Sequence, residues 1–211
     1  MTVSQALETR RAVPSFAPEA IELDELFALL NKANLAPSSR NLQPWEYLVV
    51  VSPEDKARLQ AASYNQKKIS EASAAVVVLG NLNHHLDNAA RVADDNISKG
   101  YLKPEGREGF IASAAAGWPT PQTQRDEAFR AGSLWGMSLM LAAREAGWDS
   151  GPMSGFEADK VSAEFGLPEH ILPVLIVTIG KANPAIHLLP RGERFPAEEL
   201  ASIGNYGVRK G

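Results

Sequence analysis

The chain has 211 residues, 45% of them hydrophobic and 22% charged, which excludes a wholly disordered or fibrous protein and fits a single folded domain. Its 21 Lys and Arg against 25 Asp and Glu leave a net charge of −4, so it lacks the basic field that binding to nucleic acid or anionic membranes requires. Because the sequence has no cysteine, disulfides and thiolate metal sites are excluded as well.

The N-terminal segment, residues 1–11, predicts a short amphipathic helix that Arg10 and Arg11 close, since cations are favourable at a helix C-terminus. The segment has no apolar stretch of the kind that secretory signals carry. Apolar windows such as Ala74–Leu79 are far shorter than the roughly 20 residues of a membrane-spanning helix. We therefore expect a soluble, cytoplasmic protein that does not bind membranes.

Residues Ile21–Leu35 predict the next helix, because apolar side chains recur there at helical spacing. The stripe that we expect to be buried consists of Leu23, Leu26, Phe27, Leu30 and Ala33. A further helix is predicted to begin after Ser52, whose hydroxyl can cap it. Pro53 then occupies the first turn, where its missing N–H costs little.

Three runs dense in β-branched residues predict strands covered on both faces: Glu46–Val51, Ala74–Leu79 and Pro173–Ile179. The stretches between these runs have helical patterns. We therefore expect a central sheet with helices packed on both of its faces.

Residues 81–121 change in composition, mixing helical pieces with Gly and Pro. They predict an excursion off the main layers that carries a mobile lid or a pocket wall. His84 and His85 are adjacent and cannot face one metal from one side of a helix, so we interpret them as surface polar residues and expect no metal site. Three aromatic residues of the excursion supply either a pocket wall or ordinary packing: Tyr101, Phe110 and Trp118.

Residues Asp126–Ala146 predict a long helix that is apolar around almost its whole axis and is therefore buried on all sides. Small residues in its middle lower helix propensity but let another backbone approach closely: Gly132, Ser133, Gly136 and Ser138. The interpretation that we favour is a symmetric partner helix at this contact. The alternative is a central helix in a monomeric core.

The usual catalytic motifs are missing, since no dinucleotide fingerprint, phosphate loop or serine-nucleophile elbow occurs in the sequence. If the protein is an enzyme, we expect a bound cofactor to carry the chemistry. Four polar clusters are candidates for binding it: Arg10 with Arg11, residues 37–45, the predicted turn 151–156, and Arg191 with Arg194 in the Pro- and Arg-rich tail. Taken singly, each cluster also has a purely structural interpretation as a cap, a turn or a solvated surface.

Taken in order along the chain, the four clusters resemble those of the FMN-dependent nitroreductase family. The most specific piece is Pro37–Trp45, with the sequence PSSRNLQPW. Residues 65–68, NQKK, resemble the family segment that supplies Asn and Lys to the flavin ring. The resemblance extends over nearly the whole chain.

This resemblance implies an α+β fold, a three-layer α/β/α sandwich with a mixed, mainly antiparallel sheet. It implies a single FMN-binding domain, residues 1–211, in a homodimer whose C-terminal segments each extend onto the partner. Two FMN molecules would lie at the interface, each contacted by both chains.

The residues implied at the cofactor fall into groups by their role. The phosphate would be held at one end of the site by Arg10, Arg11, Arg191 and Arg194. Ala12 would also lie at the cofactor, but without a hydroxyl for the phosphate. The other chain would contribute Pro37, Ser38, Ser39 and Asn41. Asn65 would bond the pyrimidine edge of the ring, and Lys68 would give electrostatic support. The other side of the ring would be lined by Pro152, Met153, Ser154 and Gly155.

Three positions depart from the family pattern: Ala12 stands where Ser is common, Pro14 where a basic residue is common, and Ser154 where an acidic residue is common. The loss of a cation at Pro14 should leave the reduced flavin less stabilised.

The activity that the resemblance implies is a ping-pong reaction. NADH or NADPH reduces the flavin, and a nitroaromatic, quinone, enone or small aldehyde then takes the electrons. No side-chain acid or base is needed for it. Two alternatives stay open: a flavin-binding protein with little turnover, and a specialised relative such as a reductive dehalogenase or a flavin-cleaving enzyme.

Overall fold

The computed structural model describes residues 1–209, so Lys210 and Gly211 of the predicted domain 1–211 lie outside the described residues. Its helices are α1 (Val3–Thr9), α2 (Leu23–Ala33), α3 (Pro53–Ala61), α4 (Lys68–Glu71), α5 (His84–Asp87), α6 (Ala89–Ser98), α7 (Arg107–Ala115), α8 (Pro121–Glu145), α9 (Ala158–Phe165) and α10 (Ala197–Leu200). Its strands are β1 (Trp45–Val50), β2 (Ala74–Asn81), β3 (Asp149–Met153) and β4 (Ile171–Gly180).

The strands form one antiparallel sheet in the order β1-β2-β4-β3. Each of the three predicted runs lies within or nearly coincides with a strand. The central strands β2 and β4 extend beyond their runs by two and three residues. Every residue of β2 is buried, because helices cover both faces of the sheet and neighbouring strands cover both of its edges. The predicted α+β fold class, with a mainly antiparallel sheet, is thus confirmed.

Strand β4 contains a proline in the middle of the sheet, and a bulge accommodates it. Val78 of β2 pairs with Leu175, but the next residue, Leu79, pairs with Pro173, so Val174 is the extra residue. A bulge interrupts the ladder of hydrogen bonds, which makes the missing N–H of proline tolerable there.

The prediction of a turn at residues 151–156 was wrong for its first half, because Gly151–Met153 form the end of β3 and pair with β4. The strand has no β-branched residue and includes both Gly and Pro, so propensity argued against it. Pro152 is tolerated because β3 lies at the edge of the sheet. One side of an edge strand has no neighbouring strand, so a missing backbone N–H on that side breaks no hydrogen bond.

Two apolar cores separate the sheet from its helical layers. One core lies under α2 and α8 and includes the fully buried Trp135, which stacks on Tyr47 with ring centroids 4.9 Å apart. The other lies under α3, α4 and α9 and includes Leu59, Ile69 and Val161. The three-layer sandwich is therefore confirmed.

Helix α2 is shorter than predicted and its buried stripe is narrower. Leu26, Leu30 and Ala33 are buried, whereas Leu23 and Phe27 are 53% and 51% exposed, contrary to the prediction. The packed face is set by the position of α8, which α2 crosses, and the outer edge of the apolar stripe lies beyond that contact. Helix α3 begins as predicted, with Ser52 Oγ accepting from the backbone N–H of Asp55 at 3.0 Å.

Helix α8 begins five residues before the predicted start, at Pro121, after a capping box made by Thr120 and Thr123. It is not buried on all sides, since Leu134 is 44% exposed. The two glycines of α8 contact a strand of the same chain and not a partner helix. A Cβ on Gly136 would lie 2.8 Å from Leu175 Cδ2, and one on Gly132 would lie 3.3 Å from Val174 Cγ1, so both face the chain's own strand β4.

The excursion 81–121 is largely helical and has its own small core. Ala89 and Val92 of α6, Ala114 of α7 and Trp118, which follows α7, pack around Leu42, while Tyr101 is 80% exposed. Trp118 therefore packs internally.

The interpretation of the two histidines as surface residues was wrong, because His84 and His85 are 0% and 4% exposed. Their rings pack against Trp118, with centroid distances of 5.0 and 6.2 Å. The adjacency of the two histidines in sequence carried no information about Trp118, the distant aromatic residue that covers both rings.

Burial lowers the pKa of His84, and a hydrogen bond from its ring to the Asn81 carbonyl only partly opposes this. The folded protein therefore binds this proton less readily than the unfolded chain, in which the pKa of a histidine is about 6.5. We expect the free energy of unfolding to fall as the pH drops through about 6.5 toward the lower pKa of the folded state.

His84→Gln is expected to flatten this slope in urea unfolding measured across that pH window. The control is His187→Gln, since His187 is exposed and should leave the slope as it is. An equal slope in wild type and His84→Gln would contradict the prediction.

Candidate functional site

The segment after α1 is held against β3, and this fixes the first pair of arginines. Arg10 is the C-cap residue of α1, where its backbone N–H donates to the Ala6 carbonyl at 2.9 Å, and Arg11 follows in the chain that leaves the helix. Ala12 forms an isolated parallel bridge with Ser150, and Val13 N donates to the Ser150 carbonyl at 3.0 Å.

Glycine at position 151 makes this approach possible. A Cβ there would lie 2.8 Å from the Val13 carbonyl oxygen and 2.7 Å from Thr178 Oγ1. Any side chain at this position would push the arginine-bearing segment away from the sheet. The segment 10–13 and the strand 149–153 are thus positioned together.

The arginines from both ends of the chain meet in one cluster. Burial lowers the pKa of Arg10, and the charges of Arg191, Arg194 and Arg11 lower it further. No carboxylate in residues 1–209 forms an ion pair with any of these four arginines. The cluster therefore has an unbalanced positive charge, which an anion would neutralise.

Main-chain carbonyls bind part of this cluster. Arg191 Nη2 donates to the carbonyls of Glu8 at 2.9 Å and Arg10 at 2.5 Å, and Arg11 Nη2 donates to that of Leu189 at 2.5 Å. These bonds fasten the tail to the end of α1.

Arg10 differs from the arginines that fasten the tail, because its Nη1 is buried and has no hydrogen-bond partner among the described residues. Within residues 1–209, Arg194 bonds only carbonyls of its own loop, those of Gly192 and Glu193. These two guanidiniums are the ones most available to a ligand.

A second part of the site lies where the loop before α4 meets the end of β3. Gln66 Nε2 donates to the Gly155 carbonyl at 2.7 Å, which brings residues 65–68 beside residues 152–155. Lys68 is half-buried, and burial lowers its pKa. Sequence reasoning did not assign Gln66, although it lies within the NQKK segment.

Backbone strain marks two loops of the chain. In residues 1–209, all non-glycine residues with positive φ lie at 40–43 and 64–65, namely Arg40, Asn41, Gln43, Tyr64 and Asn65. Each such residue costs about 1–3 kcal/mol, and strain of this kind is concentrated at functional sites. Both loops belong to segments that sequence reasoning assigned to the cofactor.

The loop 37–43 does not hydrogen-bond to the arginine cluster within the described part of the chain. Its bonds run to the excursion instead: Arg40 Nη1 donates to Ser113 Oγ, and the carbonyls of Leu42 and Gln43 accept from Asn88 Nδ2. Ser38 Oγ accepts from the backbone N–H of Gln43 at 2.9 Å and closes the loop on itself. Ser39 and Asn41 are exposed.

No helix within residues 1–209 combines the length and the apolar character needed to cross a bilayer. Over the same residues, no group of three or more His, Asp or Glu side chains is arranged to hold a metal ion.

Comparison with known proteins gives concordant matches over nearly the whole chain. A model of the Nitroreductase family matches residues 7–181. A Bacillus subtilis (strain 168) protein that carries the name NAD(P)H nitroreductase YodC is 34% identical over 197 residues, covering 93% of this chain and 96% of that protein. A Lactiplantibacillus plantarum protein named CLA biosynthesis enone reductase is 31% identical over 189 residues, covering 85% of each.

Among solved structures, one described as a nitroreductase of Exiguobacterium sibiricum 255-15 in complex with FMN has a TM-score of 0.86 and 30% identity. The match covers 96% of this chain and 97% of that one.

Proposed function

The chain belongs to the nitroreductase family, and from this premise we propose that it is an FMN-dependent oxidoreductase that uses NADH or NADPH to reduce small electrophilic acceptors. The names of its relatives support NAD(P)H as donor, and the FMN complex of a neighbour at 30% identity supports the cofactor. The enone reductase among the relatives supports an electrophilic acceptor.

The arginine cluster is the observation that carries this proposal. A phosphate dianion would neutralise charges that no carboxylate of residues 1–209 pairs with, and it would supply an acceptor for the buried Nη1 of Arg10. Planar guanidiniums bind phosphate in bidentate fashion. Arg10, Arg11 and Arg194 would bond the phosphate, while Arg191 mainly holds the tail in place.

The isoalloxazine ring would lie between the two segments that Gln66 joins. Asn65 would bond its pyrimidine edge, and Pro152–Gly155 would line its other side. Lys68 would place a positive charge beside the ring and stabilise negative charge there. Bound FMN supplies the hydride and electron transfer, so the chain's residues need only bind, orient and shield it.

We assign the remaining contacts to a second copy of the chain. Pro37, Ser38, Ser39 and Asn41 would reach the FMN of the partner, since they make no hydrogen bond to the arginine cluster of their own chain. The outward face of α8 and the tail support association, because both expose large apolar side chains: Leu134, Phe195, Leu200 and Ile203. The tail would extend onto the partner.

Donor and acceptor would use the site in turn, in a ping-pong reaction. The acceptors that fit are nitroaromatics, quinones, enones and small aldehydes. Each needs only electrons from the cofactor and protons from water.

The test begins with purified protein loaded with FMN. Its flavin absorbance is expected to bleach anaerobically with NADH or NADPH, and to return when a quinone, nitroaromatic or enone is added. Protein that binds FMN but does not bleach would instead be a flavin-binding protein without turnover. Protein that fails to bind FMN would refute the proposal.

A further inference from the structure

The loop of residues 38–43, here called the cofactor loop, has a conformation that its own sequence does not favour. Arg40, Asn41 and Gln43 have φ of +53°, +56° and +47°, in the left-handed region where a Cβ is unfavourable. A loop of this kind persists only when the surrounding structure holds it.

Several contacts hold the cofactor loop in part. Arg40 Nη1 donates to Ser113 Oγ at 2.8 Å, and Gln43 Nε2 donates to the Asn41 carbonyl at 3.2 Å. Leu42 is fully buried in the core of the excursion, between α6 and α7. The N–H of Gln43 donates to Ser38 Oγ at 2.9 Å. None of these contacts satisfies the carbonyls of Leu42 and Gln43.

Asn88 supplies the missing donors from the excursion. Its Nδ2 lies 2.8 Å from the Leu42 carbonyl oxygen and 3.4 Å from that of Gln43. Asn88 also precedes α6 as its N-cap, yet its side chain forms no capping hydrogen bond there. The amide is therefore committed to the cofactor loop and not to the helix.

We infer that Asn88 is a positioning residue that holds the cofactor loop in its left-handed conformation and thereby presents Ser39 and Asn41 to FMN. The inference rests on the proposed function for its effect on FMN, but the contact with the loop exists without the cofactor. The excursion then acts on the cofactor through this contact, in addition to any covering role.

The direct test compares Asn88→Ala and Asn88→Asp with wild type in FMN titrations. Asn88→Ala is expected to weaken FMN binding about tenfold, because it removes the hydrogen bonds of Asn88 to the Leu42 and Gln43 carbonyls. Asn88→Asp should weaken it at least as much, because an isosteric carboxylate would face two carbonyl oxygens. The visible circular dichroism of the bound flavin should change in both variants.

Two further variants separate positioning from general loss of structure. Asn96→Ala, on the helix α6 that Asn88 precedes and also half-buried, should stay within twofold of wild type in FMN affinity. Gln43→Gly should recover part of the affinity lost in Asn88→Ala, because glycine adopts positive φ without strain.

Hydrogen–deuterium exchange of the flavin-free protein tests the contact independently of the cofactor. Exchange in peptides covering 38–44 should be faster in Asn88→Ala than in Asn96→Ala. If wild type bound no FMN, the proposed function and the effect on FMN would both fall, whereas exchange would still report on the contact. Unchanged exchange, or equal FMN affinity in Asn88→Ala and wild type, would overturn the inference.

Discussion

Replacing Arg10 by alanine is expected to weaken FMN binding about a hundredfold, a loss of about 2.7 kcal/mol. Arg10 combines a buried Nη1 that has no partner in residues 1–209 with the nearby charges of three other arginines. Its guanidinium is thus the one that a phosphate would satisfy most. The measurement is a titration of flavin-free protein with FMN, followed by flavin fluorescence.

The same substitution should act in the opposite direction on the flavin-free protein. Burial and like charges both lower the pKa of Arg10, which means that its charged form is held at a cost. The free energy of unfolding without FMN should therefore be unchanged or higher in Arg10→Ala. Opposite signs for the two measurements would distinguish a binding residue from a structural one.

Three variants serve as comparisons for Arg10→Ala. Arg194→Ala should weaken FMN binding by about 1.5–3 kcal/mol, the range for charge-assisted hydrogen bonds. Arg10→Lys should bind FMN more tightly than Arg10→Ala because it keeps the charge. It should bind FMN less tightly than wild type, because lysine cannot donate two parallel hydrogen bonds as the guanidinium does. Arg58→Ala lies outside the cluster, on α3, and should leave FMN affinity unchanged. Wild-type affinity in both Arg10→Ala and Arg194→Ala would exclude the cluster as the phosphate site.

Leucine in place of Gly136 is expected to lower the free energy of unfolding by about 1–3 kcal/mol. Gly136 faces β4, and a Cβ there would already lie 2.8 Å from Leu175 Cδ2. A whole side chain would force α8 away from the sheet, and the gain in helix propensity of about 1 kcal/mol would offset this only in part. Urea unfolding monitored by circular dichroism measures the change.

Ser138→Leu is the matched control on the same helix. Ser138 lies on the side of α8 opposite Gly136, near the exposed Leu134, and should leave the unfolding of the chain nearly unchanged. In the proposed dimer, Ser138→Leu should change the dissociation constant, which sedimentation measures. If Gly136→Leu altered association and left unfolding unchanged, the close contact would lie with a partner and not with β4.

The central strands were predictable because burial on both faces requires an unbroken apolar run, which is visible locally. Glu46–Val51, Ala74–Leu79 and Pro173–Ile179 have such runs, and each corresponds to an observed strand. Strand β3 was not predictable in this way. Its residues DSGPM pair through the main chain at a sheet edge, and that pairing depends on β4 and not on strand propensity.

The candidate site divides along the same line. The clusters around Arg10, residues 37–45 and Arg194 stand out by residue type and order, and they were sufficient to indicate the family. The arrangement of these clusters in space could not be predicted from the sequence. The bonds of Arg191 to the main chain and of Gln66 to Gly155 connect residues that are far apart in sequence.

The sequence by itself determined where the buried strands and most helices form, and which residue types are available to bind an anionic, planar cofactor. These properties follow from local periodicity, capping and composition, which depend only on residues close together in sequence. Only the tertiary structure decided that His84 and His85 are buried, that Gly136 faces β4, and that Arg10 has a buried guanidinium nitrogen without a partner. Burial, close approach and unbalanced charge each depend on atoms brought from elsewhere in the chain, so no local pattern encodes them.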